Sequence, residues 1–229
     1  MFSKFHASIP PNIAHDAQPR RSRCADRSPS HLMKSDPFEK KYAGRFRAVH
    51  NWIGGSDYTP LNVLHVPPGS MRVAALVTIL HDFCRRIDLP VLAQAAHAHA
   101  QFENIHPFTD GNGRFGCALI NAILRHRGLT NSSVIPIAST FAVQRDWYFE
   151  LVNAYRDGKA PLLVEFLASS AIVVCKEAET SAVALAALPA QWIEHVQPRG
   201  GSAATPLIDS LLATPLITVK ISARRLAPE

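Results

Sequence analysis

Between residues 106 and 114 the chain reads His106-Pro107-Phe108-Thr109-Asp110-Gly111-Asn112-Gly113-Arg114, a stretch that no single regular element can hold. Proline inside a helix removes a hydrogen-bond donor, glycine weakens the interior of helix and strand alike, and Asp and Asn favour turns and caps. Helical apolar spacing leads up to the stretch through Phe102 and resumes over residues 112–127. The chain must therefore end one helix, cross a short loop, and open a second helix at Gly-Asn-Gly.

That arrangement suits a phosphate. The free N–H groups and the positive dipole end of a helix start favour an anion, and Gly111 and Gly113 let the backbone come close with no Cβ in the way. Arg114 adds a planar fork of donors. Asp110 offers a hard oxygen ligand that suits Mg²⁺ bridging two phosphates. His106 is the one group in the loop whose ordinary pKa lets it take a proton near neutrality. Phe108 and Pro107 are read more plainly, one anchoring the loop by burial and the other stiffening it. Singly, a His, a Gly-x-Gly or a Phe is usually structural. Nine specified residues in His-Pro-Phe-x-Asp-Gly-Asn-Gly-Arg-x-Gly together fall below about one chance in a billion for a chain this long.

The rest of the sequence frames this segment. Val73, Leu76, Val77, Leu80 and Phe83 form one helical stripe, and Pro90 sits at the first turn of a second helix reaching Phe102. Further helices are expected over 112–127, 140–157 and 160–187, separated by Gly128, Pro136 and the Gly158-to-Pro161 break, so the body is mainly α. Upstream, Val49 to Gly55 and Val63 to Pro68 are β-prone runs around a turn-rich middle, which predicts a β-hairpin over 50–68. Beyond Pro198-Arg199-Gly200-Gly201 a helix is expected over 203–213, then a turn and the start of another element.

Charge and cysteine usage narrow the function classes. Of the 24 Lys and Arg, ten lie in residues 1–47 against four Asp or Glu, whereas the remainder holds fourteen of each, so the net +6 belongs to residues 1–47. A neutral body gives a nucleic-acid partner little to hold. Residues 1–43 read as a divergent basic leader, disordered or loosely packed. Cys24, Cys84, Cys117 and Cys175 lack the Cys-x-x-Cys spacing of a metal site. The longest apolar runs fall short of a membrane span, and a continuous apolar signal core is missing from the first residues, so a cytoplasmic protein is expected. His97 and His99 are two apart on a helix and diverge, which argues against a metal site shared with His106.

The segment resembles the signature of the Fic (Fido-type) family, His-x-Phe-x-(Asp/Glu)-Gly-Asn-Gly-Arg-x-x-Arg, and Gln101 to Ile105 resemble the helix that precedes it. Phe46-Arg47 and Asn51 to Gly55 are similar to the family's entry into its flap hairpin. The resemblance implies a Fic core over 44–190, with flap 50–68 and signature loop 106–114, followed over 191–229 by a linker and an incomplete winged-helix-like segment. It implies a protein adenylyltransferase that moves AMP from ATP, with Mg²⁺, to a Ser, Thr or Tyr hydroxyl. In that reading His106 is the base, Asp110 holds the metal, Gly111, Asn112 and Gly113 form the anion hole, and Arg114 clamps the β-phosphate. The target protein would dock at the flap, where Asn51 and His65 are either contacts or ordinary loop residues.

The sequence departs from the family at Cys117, which stands where the signature's last Arg would reach the same polyphosphate as Arg114. Loss of that charge-assisted contact keeps a second reading open, a weakened or inactive relative that binds nucleotide. A third, a DNA-binding regulator, rests on residues 202–226 and the basic leader alone. The family's inhibitory motif is not recognisable, which leaves constitutive activity, a separate inhibitory protein, or a region replaced by the leader.

Overall fold

A computed structural model describes residues 44–55, 58–131 and 133–218. The expected leader, 1–43, and the final part of the winged-helix-like segment, 219–229, lie outside the described residues. The described residues form two compact units, one reaching to Ala171 and the other starting at Ile172. Seven helices occur among the described residues: α1 (Ser70–Cys84), α2 (Val91–Ile105), α3 (Asn112–His126), α4 (Ile137–Val143), α5 (Arg145–Arg156), α6 (Ala160–Val196) and α7 (Ala204–Ser210).

The first unit is organised around α2, which packs on α1, α3 and α5. Its sequence explains why. Ala95, Ala96, Ala98 and Ala100 are fully buried and small on every side, so three neighbours can approach closely. Gln94, also fully buried, donates to the carbonyls of Phe83, Cys84 and Arg86 and so closes the end of α1. On α3 the buried residues Asn112, Gly116, Ile120, Ile123 and Leu124 follow the i, i+4, i+8 spacing of one helical face. Gly116 marks the closest approach to α2, because a Cβ there would lie 2.4 Å from Glu103 Oε1 and 2.9 Å from His99 Nδ1.

Three expectations change. The β-hairpin over 50–68 is reduced to one antiparallel bridge, Ile53 to His65, with Ile53 N–H donating to His65 O at 2.9 Å and Leu64 N–H to Ile53 O at 2.8 Å. Left-handed Gly54, Gly55 and Asn62 turn the chain away directly beside the bridge, and Pro67 and Pro68 cannot donate to a ladder. The expected helix over 140–157 is two helices, starting at Ile137 after Pro136 and broken at Gln144 (φ −110°, ψ 44°). The break accompanies an inward stack of Phe141 on Tyr148 at 4.7 Å. The helix expected to stop at residue 187 continues through Pro189 to Val196. Proline there forfeits the one bond to Leu185 O, while Ala184, Ala186, Ala187 and Ala190 around it are the strongest helix formers.

In the second unit, α7 buries Ile208 and ends in a turn, short of the expected residue 213 by three. No helix among the described residues is long and apolar enough to cross a membrane.

Candidate active site

The loop after α2 is fixed at both ends. His106 caps α2 in the left-handed region (φ 47°), its N–H donating to Phe102 O at 2.9 Å. Five residues later Gly111 (φ 80°) opens α3, a conformation that glycine adopts without the Cβ penalty. The first N–H groups of a helix have no intrahelical partner, and no side chain caps those of α3. At Gly113 an added Cβ would meet nothing within 4 Å, which makes the surface over this turn open.

Phe108 and Pro107 hold the middle, as their types suggested. Phe108 is buried against Phe46, Phe102 and Phe115, at ring separations of 5.7, 6.2 and 5.4 Å, and Pro107 is fully buried. Asn112 has a more specific task than its place in an anion hole implied. Its Oδ1 accepts from Phe108 N–H at 2.9 Å and its Nδ2 donates to Phe108 O at 2.8 Å, so the buried amide ties the loop to itself. With its side-chain amide turned to Phe108, Asn112 offers an anion chiefly its backbone N–H.

Arg47, which the residue pattern alone did not single out, clamps the loop from outside. The side chain is 3% exposed and donates to His106 O at 2.8 Å, Val49 O at 3.1 Å, Ile105 O at 3.3 Å, and Pro68 O, while its own N–H donates to Pro107 O at 2.9 Å. Its burial pulls the guanidinium pKa below the ordinary value. Two flap residues do similar work. Asn51 Nδ2 donates to Phe108 O at 3.4 Å, and His65 Nε2 lies 3.0 Å from Asn104 O. Asn51 therefore tethers the flap to the loop, and His65 tethers it to the end of α2.

Two charged groups stand at the open side. Asp110 and Arg114, each about half exposed, pair at 2.8 Å. Both can turn toward a ligand: Asp110 is the hard oxygen donor for a divalent cation, and Arg114 and the bare turn at Gly113 suit phosphate oxygens. An exposed pair of this kind is worth at most about 1 kcal/mol, so a bound polyphosphate and metal can part it.

His106 lies deeper. Its side chain is 20% exposed, but Nδ1 is sealed from solvent without a hydrogen bond, and the nearest carboxylate oxygen, Glu103 Oε2, is 3.9 Å away. Burial holds the imidazole down to about 4, opposed in part by the Glu103 backbone carbonyl and reinforced by the nearby charges of Arg47, His65 and Arg156. The ring is therefore neutral at pH 7 and can accept a proton. Behind it, burial pushes the Glu103 carboxyl up to about 7, against the pull of Arg156. Burial and the Glu103 charge push the Cys117 thiol up to about 11. Cys117 thus has an acidic neighbour in the interior as well as Arg114 one turn before it. His99 is a core residue beside Tyr148 (Nε2 to the hydroxyl, 2.9 Å), and His97 is half-buried beside Tyr155 (Nδ1 to the hydroxyl, 3.1 Å).

Known proteins share this pattern. The family model described as Fic/DOC family matches residues 30–124. The protein adenylyltransferase Fic of Drosophila willistoni is 32% identical over 136 residues, 58% of this chain and 24% of that protein. The protein of the same name from Nematostella vectensis is 32% identical over 129 residues, covering 55% and 27%. The chain thus spans about a quarter of the length of these relatives. A crystal structure of a Fic family protein from Desulfovibrio desulfuricans G20 superposes with a TM-score of 0.56 at 24% identity, over 88% of this chain and 58% of that one, and shares the fold. In its mainly helical fold, and over residues 30–124 that include the His106-to-Arg114 loop, this chain is similar to the Fic/DOC family.

Proposed function

We propose that this chain is a protein adenylyltransferase, moving AMP from ATP to a Ser, Thr or Tyr hydroxyl of a target protein in the cytoplasm, where ATP is plentiful. The observation that carries the reading is one clamped loop that joins a neutral, partly exposed imidazole at its start to an uncapped helix N-terminus with an open glycine at its end. His106 takes the proton of the target hydroxyl. The hydroxyl oxygen attacks the α-phosphorus, the bond from that phosphorus to the bridging oxygen breaks, and pyrophosphate leaves with the electron pair. The N–H groups of Asn112, Gly113 and Arg114, with the Arg114 guanidinium, receive the charge that builds on the phosphate oxygens. Asp110 would hold Mg²⁺, which neutralises phosphate charge when bound. Exposed Leu61, Leu64 and Val66 on the flap give the target an apolar surface to dock on.

The test is incubation of the chain and a candidate target with Mg²⁺ and ATP labelled at either the α- or the γ-phosphate. Label retained on protein only from the α-position supports the reading, and retention of the γ-label alone overturns it. A sharper probe is Gly113→Ala. The added methyl meets no protein atom and improves helix propensity, so the fold should hold or gain up to about 1 kcal/mol. The methyl nonetheless occupies the space a phosphate needs, and affinity for Mg-ATP in calorimetry should fall about tenfold or more. Unchanged affinity would show that the nucleotide does not use this turn.

Cys117 favours a second reading, a weakened relative that binds nucleotide without efficient transfer. Cys117→Arg is expected to tighten ATP binding by less than the roughly 5- to 150-fold that a full phosphate contact allows, because Glu103 also attracts the new guanidinium. Transfer that appears only in the Arg variant selects this second reading; transfer already present in the wild type selects the first.

A further inference from the structure

Glu103 is a buried carboxyl that the transfer chemistry above does not use. The residue is 8% exposed and its Oε1 has no hydrogen-bond partner. Around it stand His106 and His99 from its own helix, Cys117 from α3, and Tyr148 and Arg156 from α5. Arg156 does not form a salt bridge with it; its Nε donates to Asn104 Oδ1 at 2.7 Å and its Nη1 to Asn153 Oδ1. The two carboxyl oxygens have different outlooks. Oε1 lies over Gly116 beside His99 Nδ1, and Oε2 is 3.9 Å from His106 Nδ1. Both of those ring nitrogens are buried and unpartnered as well. Leaving such groups unpaired costs roughly 1 to 3 kcal/mol each, so a rotation that closes one of these gaps by about 1 Å is favoured.

We propose that Glu103 is a positioning residue for His106: its carboxylate takes the Nδ1–H of the ring, which leaves the Nε2 lone pair free on the exposed edge to act as the base. The inference rests on the reading of His106 as the base. It follows from the inventory of an imidazole, where the proton on one nitrogen decides whether the other can accept. An ionised Glu103 can only accept, so it selects Nδ1–H. A protonated Glu103 donates its own O–H to Nδ1 and forces the proton onto Nε2, where it blocks the base. The three-residue spacing that sets Glu103 beside His106 thus couples its ionisation to the tautomer of the ring. Since burial lifts this carboxyl to about 7, the exchange falls within the physiological range. The rival acceptor is the backbone carbonyl of Glu103, which would hold the Nδ1–H tautomer at every pH.

The experiment labels the histidine rings of the full chain with ¹⁵N, assigns His106 by its loss in His106→Asn, and follows both ring nitrogens from pH 5 to 9. The expected result is a change from Nε2–H to Nδ1–H with its midpoint near the Glu103 value of about 7, and its absence in Glu103→Gln, which cannot titrate. In transfer assays the acid limb of kcat should shift from about 7 in the wild type toward the His106 value of about 4 in Glu103→Gln, with KM for ATP changed less than about twofold. A merely structural Glu103 would not move that limb. A His106 ring whose tautomer is constant across the range in the wild type, or one that shows the same step in Glu103→Gln, overturns the proposal. Should the variant fail to fold, the wild-type titration alone decides. A tautomer step in a chain that transfers nothing supports the coupling and rejects the adenylyltransferase reading, so the two failures are distinguishable.

Discussion

His106→Asn is expected to lower transfer to a protein hydroxyl by about 10²- to 10⁴-fold while leaving nucleotide affinity and fold close to wild type. The size of the loss follows from the role: among the described residues no other neutral imidazole stands on the exposed side of the loop, and the remaining groups there, Asp110 and Arg114, are already paired with each other. Asn is the informative substitution because the backbone at this position is left-handed, φ 47°. Asn tolerates that region, whereas Ala would add a backbone penalty of roughly 1 kcal/mol and confuse a folding defect with a chemical one. The loop should keep its shape, since the bonds that hold it come from Arg47, Asn112 and the Phe108 cluster, not from the ring. Transfer of label from α-labelled ATP, read beside Mg-ATP affinity by calorimetry, checks both halves. Undiminished transfer would remove His106 from the chemistry.

Arg47→Ala should carry the largest stability cost, about 3 kcal/mol or more, seen as a lower denaturant midpoint with an unchanged slope. The side chain is almost wholly enclosed, and four backbone carbonyls, of Val49, Pro68, Ile105 and His106, lose their donor together. Two of these belong to the flap region and two to the end of α2, so the same change should loosen the flap and release the loop that presents His106. Arg47→Lys should recover little. One ammonium has three donors on a flexible stem and cannot span carbonyls that a planar guanidinium reaches at once. A loss below about 1 kcal/mol would show that water replaces the guanidinium without difficulty and that the clamp is not what orders the loop.

The nine-residue segment was legible because its chemistry is local. Base, metal ligand, phosphate donors and turn glycines lie within one loop, and the need to end one helix and begin another is written in the residue types. The helices on either side followed from spacing: α1 shows the expected stripe, with Val73 and Leu80 buried, and α2 and α3 lie within a few residues of their expected ends. The break at Gln144 was not legible, since neither Gly nor Pro marks it and its evident correlate is the inward stack of Phe141 with Tyr148. Nor was the passage of α6 through Pro189, because a single proline usually ends a helix unless its surroundings favour the helix strongly enough. The flap was overread. β-prone runs were present, but residues in the left-handed region beside the bridge limit the pairing to one place.

What the sequence determined by itself is the kind of site: a loop between two helices, a titratable ring at one end and an anion-ready helix start at the other. What only the tertiary structure decided is how those groups are held and tuned. Arg47 meets His106 across 59 residues, and Glu103 becomes a neutral-range carboxyl only once the packed helices, α3 with its close approach at Gly116 among them, bury it. The physical reason is the same in both cases. Propensity and spacing act between near neighbours in the chain, whereas desolvation and the satisfaction of buried carbonyls depend on which distant elements exclude water from a group, and that is settled only when the helices pack.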